Sequence, residues 1–189
     1  MHLLPFCSKT LRITSLSIIL HFVINKKVQL LEKHIIGKPA QWLIEAAAGI
    51  GLDISGLSHE VTNYFVNHSI NRHGNAKTER AQGQVAITRA DFDLIPDIVK
   101  NPDLTVLNIK HNQIIFIAYS KKFDDWTAIY YEEVLNSKKN KALRSKTIYK
   151  KMGMVYVDTF LKIISNNAHI DVSEIKIVVG TGGHPGGET

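Results

Sequence analysis

Leu104-Thr105-Val106-Leu107-Asn108-Ile109-Lys110, Gln113-Ile114-Ile115-Phe116-Ile117-Ala118-Tyr119-Ser120 and Trp126-Thr127-Ala128-Ile129-Tyr130-Tyr131-Glu132-Glu133-Val134-Leu135 decide the fold. All three stretches are rich in the β-branched and aromatic residues that suit a pleated surface. His111-Asn112 is a tight first connection, and Lys121-Lys122-Phe123-Asp124-Asp125 a longer second one. Strands joined this closely are expected to be antiparallel neighbours. Ala142 to Tyr149 extends the pattern as a fourth strand, reached through the lysine-rich loop Asn136 to Lys141. Strict alternation along it would put Arg144 and Lys146 on one face and Ser145, Thr147 and Tyr149 on the other.

Upstream the period is helical. Pro39 fits the first turn ahead of Gln41 to Ala48, which closes near Gly49 or Gly51. Ser58 is the expected N-cap of a helix from about His59 to His73. On it Val61, Tyr64, Phe65 and His68 make an i, i+3, i+4, i+7 stripe that would face the core. Gly74 is expected to end this helix in the left-handed conformation. Thr88-Arg89-Ala90-Asp91 reads as an acidic capping box before a short helix carrying Phe92, Ile95 and Ile98, with Pro96 limiting or kinking it. Downstream, Val155 to Ser165 reads as a last helix and Ile175 to Val179 as an edge strand. The glycine-rich stretch Gly180 to Thr189 is expected to be a flexible tail.

This order predicts an α+β domain: N-terminal helices followed by a roughly four-stranded antiparallel sheet, with a C-terminal helix. The helices would pack on one side and leave the other sheet face open to a ligand. The expected division is an apolar and basic extension over 1–38, a domain over 39–168, and a strand with its tail over 169–189. The apolar run Leu16 to Ile24 follows Lys9 and Arg12, as in a signal peptide. It is short, holds His21, and is followed by Asn25-Lys26-Lys27 without a cleavage site of small residues. It also falls short of the ~20 apolar residues of a membrane-spanning helix. A strand or helix packed on the domain is the reading preferred.

The 189 residues suffice for one domain with a sizeable core, and a hydrophobic content of 44% argues against disorder over most of the chain. The net charge of +6 fits a polyanionic partner. Its distribution says more. No acidic residue lies between Val134 and Val157, where Lys138, Lys139, Lys141, Arg144, Lys146, Lys150 and Lys151 all fall. Cys7 is the single cysteine, so neither an intramolecular disulfide nor a cysteine-type zinc site can form. A cytoplasmic location follows by default. There is no His-Glu-x-x-His, no Gly-x-Ser-x-Gly and no Gly-Lys-Ser/Thr. No metal ligands and no cofactor are therefore expected.

Chemistry is expected around His68-Ser69-Ile70-Asn71-Arg72-His73-Gly74-Asn75-Ala76-Lys77-Thr78-Glu79. A helix C-terminus favours a protonated imidazole at His73, and histidine is the usual proton-transfer group near neutrality. Histidines from the helices, facing basic side chains of the last strand, suit RNA cleavage without a metal. One group takes the proton of a 2′-OH, a second protonates the departing 5′-oxygen, and Lys or Arg stabilises the pentacoordinate phosphorus. His73 and His68 are the candidate acid and base, Lys146 and Arg144 the phosphate clamps, and Thr147 or Tyr149 the hydrogen-bond donor. Arg72 and Lys141 extend the expected substrate-binding surface. A core histidine at His68, and a solvated lysine-rich hairpin that binds phosphates without catalysis, are the competing readings.

The run from His68 through Asn71-Arg72-His73-Gly74-Asn75-Ala76-Lys77-Thr78-Glu79, with Gly83-Gln84-Val85-Ala86-Ile87-Thr88, Asp91-Phe92, Ile95-Pro96-Asp97-Ile98 and Asn101-Pro102-Asp103, resembles the phage-associated nuclease domains of the barnase–EndoU–colicin–RelE superfamily. Tyr130-Tyr131-Glu132-Glu133-Val134 and Lys146-Thr147-Ile148-Tyr149-Lys150-Lys151 resemble strands of that family, and the resemblance covers roughly residues 53–151. It implies helices ahead of a four-stranded antiparallel sheet, and a metal-independent endoribonuclease of phage or prophage origin, toxin- or effector-like. By position it assigns His68 and His73 to the family's helix histidines, Lys146 and Thr147 to its last-strand motif, and His59 to a further histidine at the helix start. RNA is the implied partner, with room for an antitoxin or immunity protein, and a secreted or delivered effector is an alternative location. A non-catalytic nucleic-acid-binding module and a phage structural or morphogenesis component are the alternatives.

Overall fold

The computed structural model describes residues 32–166 and 174–180. The expected apolar segment Leu16 to Ile24 and the tail beyond Gly180 lie outside them.

Four long strands form the centre of the sheet: β4 (Leu104–His111), β5 (Ile114–Phe123), β6 (Trp126–Asn136) and β7 (Lys141–Met152), each antiparallel to its sequence neighbour. The first connection is as tight as expected, shifted by one residue, and the second is tighter. Asn112 and Gln113 both adopt positive φ, 48° and 67°, as a two-residue hairpin turn matched to strand twist requires. Asp124-Asp125 makes the second turn, so β5 runs on through Lys121 to Phe123.

The sheet is not four-stranded. Its order is β1-β2-β7-β6-β5-β4-β8, and β3 also pairs with β7, giving eight strands. β1 (Lys33–Gly37) lies inside the segment expected to be an extension and pairs with β2 (His59–Thr62). β2 in turn pairs in parallel with β7, through His59–Leu143 and Glu60–Arg144, so the sheet is mixed. β3 (Gln84–Val85) pairs with the far end of the same β7 edge at Lys150 and Lys151. β8 (Lys176–Val179) is an edge strand on β4, as its sequence suggests.

β2 shortens the helix expected from Ser58. All four of its residues are buried, two of them β-branched, and Thr62 becomes the N-cap by accepting from Phe65 N at 3.1 Å. Helices α1 (Gln41–Ala48) and α2 (Asn63–His73) precede the central strands. α2 buries Phe65, Val66 and Ser69, whereas Tyr64 is 66% exposed and stacks on His68. The core stripe is thus rotated from the expected one. Gly74 is right-handed, with φ −88°. Glycine is required there for closeness instead, since a Cβ would lie 2.4 Å from the Ile70 carbonyl oxygen. Asn75 then caps a further turn, α3 (Ala76–Ala81), through Lys77 N and Thr78 N.

Thr88 and Asp91 pair as expected, with Thr88 N and Oγ1 both donating to Asp91 Oδ2. The segment they open is a 3-10 turn, Arg89–Leu94, which passes into α4 (Ile95–Lys100) with Pro96 in its first turn. Asp91 also receives Lys150 Nζ at 2.8 Å, both side chains being buried, and the ammonium lies 4.7 Å over the Trp126 ring.

The helices are not confined to one face. Leu43, Phe65, Phe92, Ile95 and Ile98 of the helical segments before β4 pack on Tyr119, Tyr130, Leu143 and Ile148. α5 (Val157–Ser165) packs Phe160 and Ile164 against Val106, Ala118, Ile129 and Tyr131 in a second cluster. A mixed sheet this wide has apolar side chains on both faces and needs cover on both.

Inside the first cluster sits a polar network with essentially no exposure. The Glu132 carboxylate accepts from His59 Nδ1 at 2.9 Å, Tyr119 OH at 2.9 Å and Tyr130 OH at 3.1 Å. The Ser145 hydroxyl bonds both Tyr130 OH and the Glu60 carbonyl. Burial, and then the charge of Glu132, push the Tyr119 and Tyr130 phenols well above their ordinary range, which keeps them as donors. Glu132→Ala would strand three buried donors, so a loss of about 3–5 kcal/mol is expected from the urea midpoint, with a smaller loss for Glu132→Gln. A loss under ~1 kcal/mol for the alanine variant would show that the network is not a structural requirement.

Candidate active site

An open cleft of about 800 Å³ lies between the far end of α2, α3, the strands and the end of α5. β7 contributes Lys146, Thr147, Tyr149 and Lys151; α2 and α3 contribute His68, Arg72, His73, Thr78 and Glu79; Gln82 and Gln84 follow. Ile109 and His111 of β4, Phe116 of β5 and Tyr131 of β6 continue the floor, and Ile163 and Asn166 close the α5 side.

A register break in β7 sets which side chains reach this cleft. Thr147 pairs with Tyr131 and Ser145 with Glu132, so Lys146 has no register partner on β6, although its Nζ lies 3.7 Å from Glu133 Oε2. One extra residue in a strand resets the alternation beyond it. Ser145 therefore enters the buried network while both Lys146 and Thr147 line the cleft with Tyr149. The strict alternation expected from sequence, Lys146 with Arg144 and opposite Thr147, fails at this bulge.

His73 stands where α2 ends, 12% exposed at its side chain, with Nδ1 3.1 Å from Glu79 Oε2. The Glu79 side chain is 2% exposed. Short helix α3 exists largely to deliver it, since the Asn75 cap starts a turn that returns Glu79 to the ring. Nδ1–H donating to a carboxylate leaves Nε2 as the nitrogen able to take or give a proton. The Tyr149 ring lies 5.8 Å from the imidazole at a tilt of 32°. Burial lifts the Tyr149 phenol far above its usual range, and the neighbouring Tyr131 phenol adds to the rise. Tyr131 is pushed up to about 12, again by burial, with Tyr149 opposing. Both phenols are thus held as neutral hydrogen-bond donors. One buried polar atom in the cleft, Gln84 Oε1, meets no protein partner in hydrogen-bond geometry, whereas the Tyr131 hydroxyl is close enough to the Tyr149 phenol to interact with it.

Of the residues expected to form a site, His73, His68, Arg72, Lys146, Thr147 and Tyr149 come together here. Three do not. His59 is 1% exposed and bound to Glu132 in the core. Arg144 donates Nε to Glu60 Oε1 at 2.8 Å and holds β7 to β2. Lys141, at the exposed start of β7, lies beside Asp53, whose carboxyl is held low mainly by hydrogen bonds from Ser55 and least by Lys141. Glu79, Gln84, His111, Phe116 and Lys151 were not singled out as site residues. For Glu79 a signal existed, because Asn75 immediately before a short helical run can cap it and place Glu79 within its first turns.

Among the described residues, no three His, Cys, Asp or Glu side chains gather as a metal-ligating group. No helix among them is long and apolar enough to cross a membrane.

An α+β domain with a histidine–carboxylate pair facing lysines and arginine across a cleft has the equipment of an enzyme acting on phosphate esters. A family model for phage-Barnase-EndoU-ColicinE5/D-RelE like nuclease3 matches residues 37–155. The chain belongs to this nuclease family, and the matched region holds β1's last residue through β7 and nearly every cleft residue. No curated protein and no solved structure matches the chain.

The raised phenols have a pH consequence. The unfolded chain releases those protons near pH 10, while Tyr119, Tyr130, Tyr131 and Tyr149 hold theirs in the folded state. The unfolded state then binds fewer protons, so stability falls as pH rises from about 10. Absorbance at 295 nm should show four of the six tyrosines un-ionised until the protein unfolds. Smooth ionisation of all six near pH 10, with the fold intact by circular dichroism, would refute their burial.

Proposed function

We propose that this domain is an endoribonuclease that cleaves RNA through its own 2′-OH, without a metal. The observation that carries the reading is the His73–Glu79 pair, fixed at 3.1 Å beside Lys146, Thr147 and Tyr149 in one cleft. His73 Nε2 takes the 2′-OH proton, and the oxygen attacks the adjacent phosphorus as the 5′-oxygen departs. Glu79 holds the ring and steadies the imidazolium that forms. Lys146 and Arg72 bind the non-bridging oxygens, where charge builds up in the transition state. Tyr149 and Thr147 donate hydrogen bonds to the same oxygens. His68, one helical turn before Arg72, is the second titratable group and protonates the leaving oxygen. The products are a 2′,3′-cyclic phosphate and a 5′-hydroxyl.

Membership in the nuclease family supports a nucleic-acid substrate, and the family's phage association supports a phage or prophage origin. In such a setting the enzyme acts in the bacterial cytoplasm as a toxin or effector, held in check by an antitoxin or immunity protein.

The test is end-labelled single-stranded RNA in excess EDTA, beside the same sequence in 2′-deoxy form. The RNA is expected to be cut to cyclic phosphate ends and the deoxy strand left whole. His73→Ala and Lys146→Ala should each lose more than ~100-fold, and Glu79→Gln about tenfold, because the ring loses orientation but keeps its nitrogen. Cutting of the deoxy strand would overturn the 2′-OH mechanism. No cleavage by the folded parent would favour a binding module.

A further inference from the structure

The cleft does not end at the His73–Glu79 pair. Its floor continues across three more strands, through Tyr131 on β6 and Phe116 on β5 to His111 on β4. The registers fix how far. Thr147 is level with Tyr131 and Ala118; Arg144 is level with Glu133, Phe116 and Ile109; Ala142 is level with Leu135. His111 pairs with Ile114, two residues before Phe116. Strands ~4.8 Å apart and residues ~3.3 Å apart put Phe116 roughly 12 Å from Thr147, and His111 roughly 20 Å. That is longer than one phosphate and its two sugars need. The floor also changes character, from the lysines of β7 to an apolar and aromatic surface made by buried Ile109 and half-buried Phe116, with Ile163 beside it. Between the two ends lies the Tyr131 hydroxyl, in a residue only 7% exposed, next to the Tyr149 phenol.

We propose that this cleft is a groove for a single-stranded polynucleotide several residues long, in which an unpaired base stacks on Phe116, remote from the scissile phosphate, and Tyr131 bonds the strand between them. The proposal rests on the nuclease reading for its direction but not for its binding chemistry. A cationic track for the backbone combined with an aromatic face for a base is how single strands are held without sequence readout. A duplex hides its base faces and offers nothing to stack.

The experiment is fluorescence anisotropy with labelled 2′-deoxy oligonucleotides, which lack the hydroxyl that cleavage needs: a mixed-sequence 12-mer, a dinucleotide, and the 12-mer annealed to its complement. The parent is expected to bind the 12-mer well above the duplex and the dinucleotide. Phe116→Leu keeps apolar packing and removes the ring, and should weaken 12-mer binding about five- to a hundredfold while leaving the dinucleotide unchanged. Phe116→Trp should keep the parent's affinity, and Tyr131→Phe should weaken the 12-mer severalfold. Thermal melts confirm folding of each variant. Equal binding by Phe116→Leu and the parent, equal loss on both lengths, or preference for duplex would each overturn the groove. Length-dependent, ring-dependent binding in a protein that cuts no RNA would uphold the groove and sink the catalytic reading of His73 instead.

Discussion

A carboxylate with no exposure, Glu132, takes hydrogen bonds from three strands inside the first hydrophobic cluster, and much of the domain is arranged to satisfy it. Unpaired, such a group would cost several kcal/mol. Here it takes hydrogen bonds from β2 through His59, from β5 through Tyr119 and from its own strand through Tyr130. Because His59 lies on β2, satisfying Glu132 brings β2 to the sheet beside β7. That pairing in turn sets the start of α2 one residue later, and the length of α2 decides where His73 falls. A core interaction therefore fixes the address of a cleft side chain.

The same carboxylate adjoins the β7 bulge. Ser145 must turn inward to bond Tyr130, and Ile148 must also turn inward to reach the first core cluster. Two residues lie between them, so strict alternation cannot serve both. Leaving Lys146 unmatched resolves the conflict and sends Lys146 and Thr147 together to the cleft. Without the bulge one of the two would be directed into the core, where a lysine lacking a partner is strongly disfavoured. Lys150 shows what an inward lysine on this strand needs: the buried carboxylate of Asp91 and the ring of Trp126.

Much of the central sheet was legible because its cues are local. β-branched runs separated by tight connections leave little choice for β4, β5 and β6, and Thr88 with Asp91 announces its own capping. What escaped depends on partners distant in sequence. His59 to Thr62 reads as the start of a helix because no turn separates it from α2, and its strand partners lie at Lys33–Gly37 and Leu143–Arg144. The bulge at Lys146 has no glycine or proline to mark it. At the cleft, residue types were legible and their directions were not. His73 and Lys146 stood out by type, whereas His59 and Arg144 share those types and serve the core and the β2–β7 seam.

That division bears on how such a domain can vary. The histidine–carboxylate pairs His59–Glu132 and His73–Glu79 have similar Nδ1 to oxygen distances of 2.9 and 3.1 Å. Geometry alone does not distinguish them, but surroundings do. His59 and Glu132 are enclosed in the core, where two phenols also donate to the carboxylate and a serine bonds one of them. His73 and Glu79 stand at the wall of an open cleft, with the other ring nitrogen free of the carboxylate that anchors Nδ1. The first pair holds strands together whether or not the cleft has a substrate. The second can exchange a proton with something that enters, so its Glu79, delivered by the six-residue helix α3, is tied to chemistry rather than to the sheet. Changes in α3 and its Asn75 cap should alter the cleft while sparing the core, because β7 and the Glu132 network are complete without them.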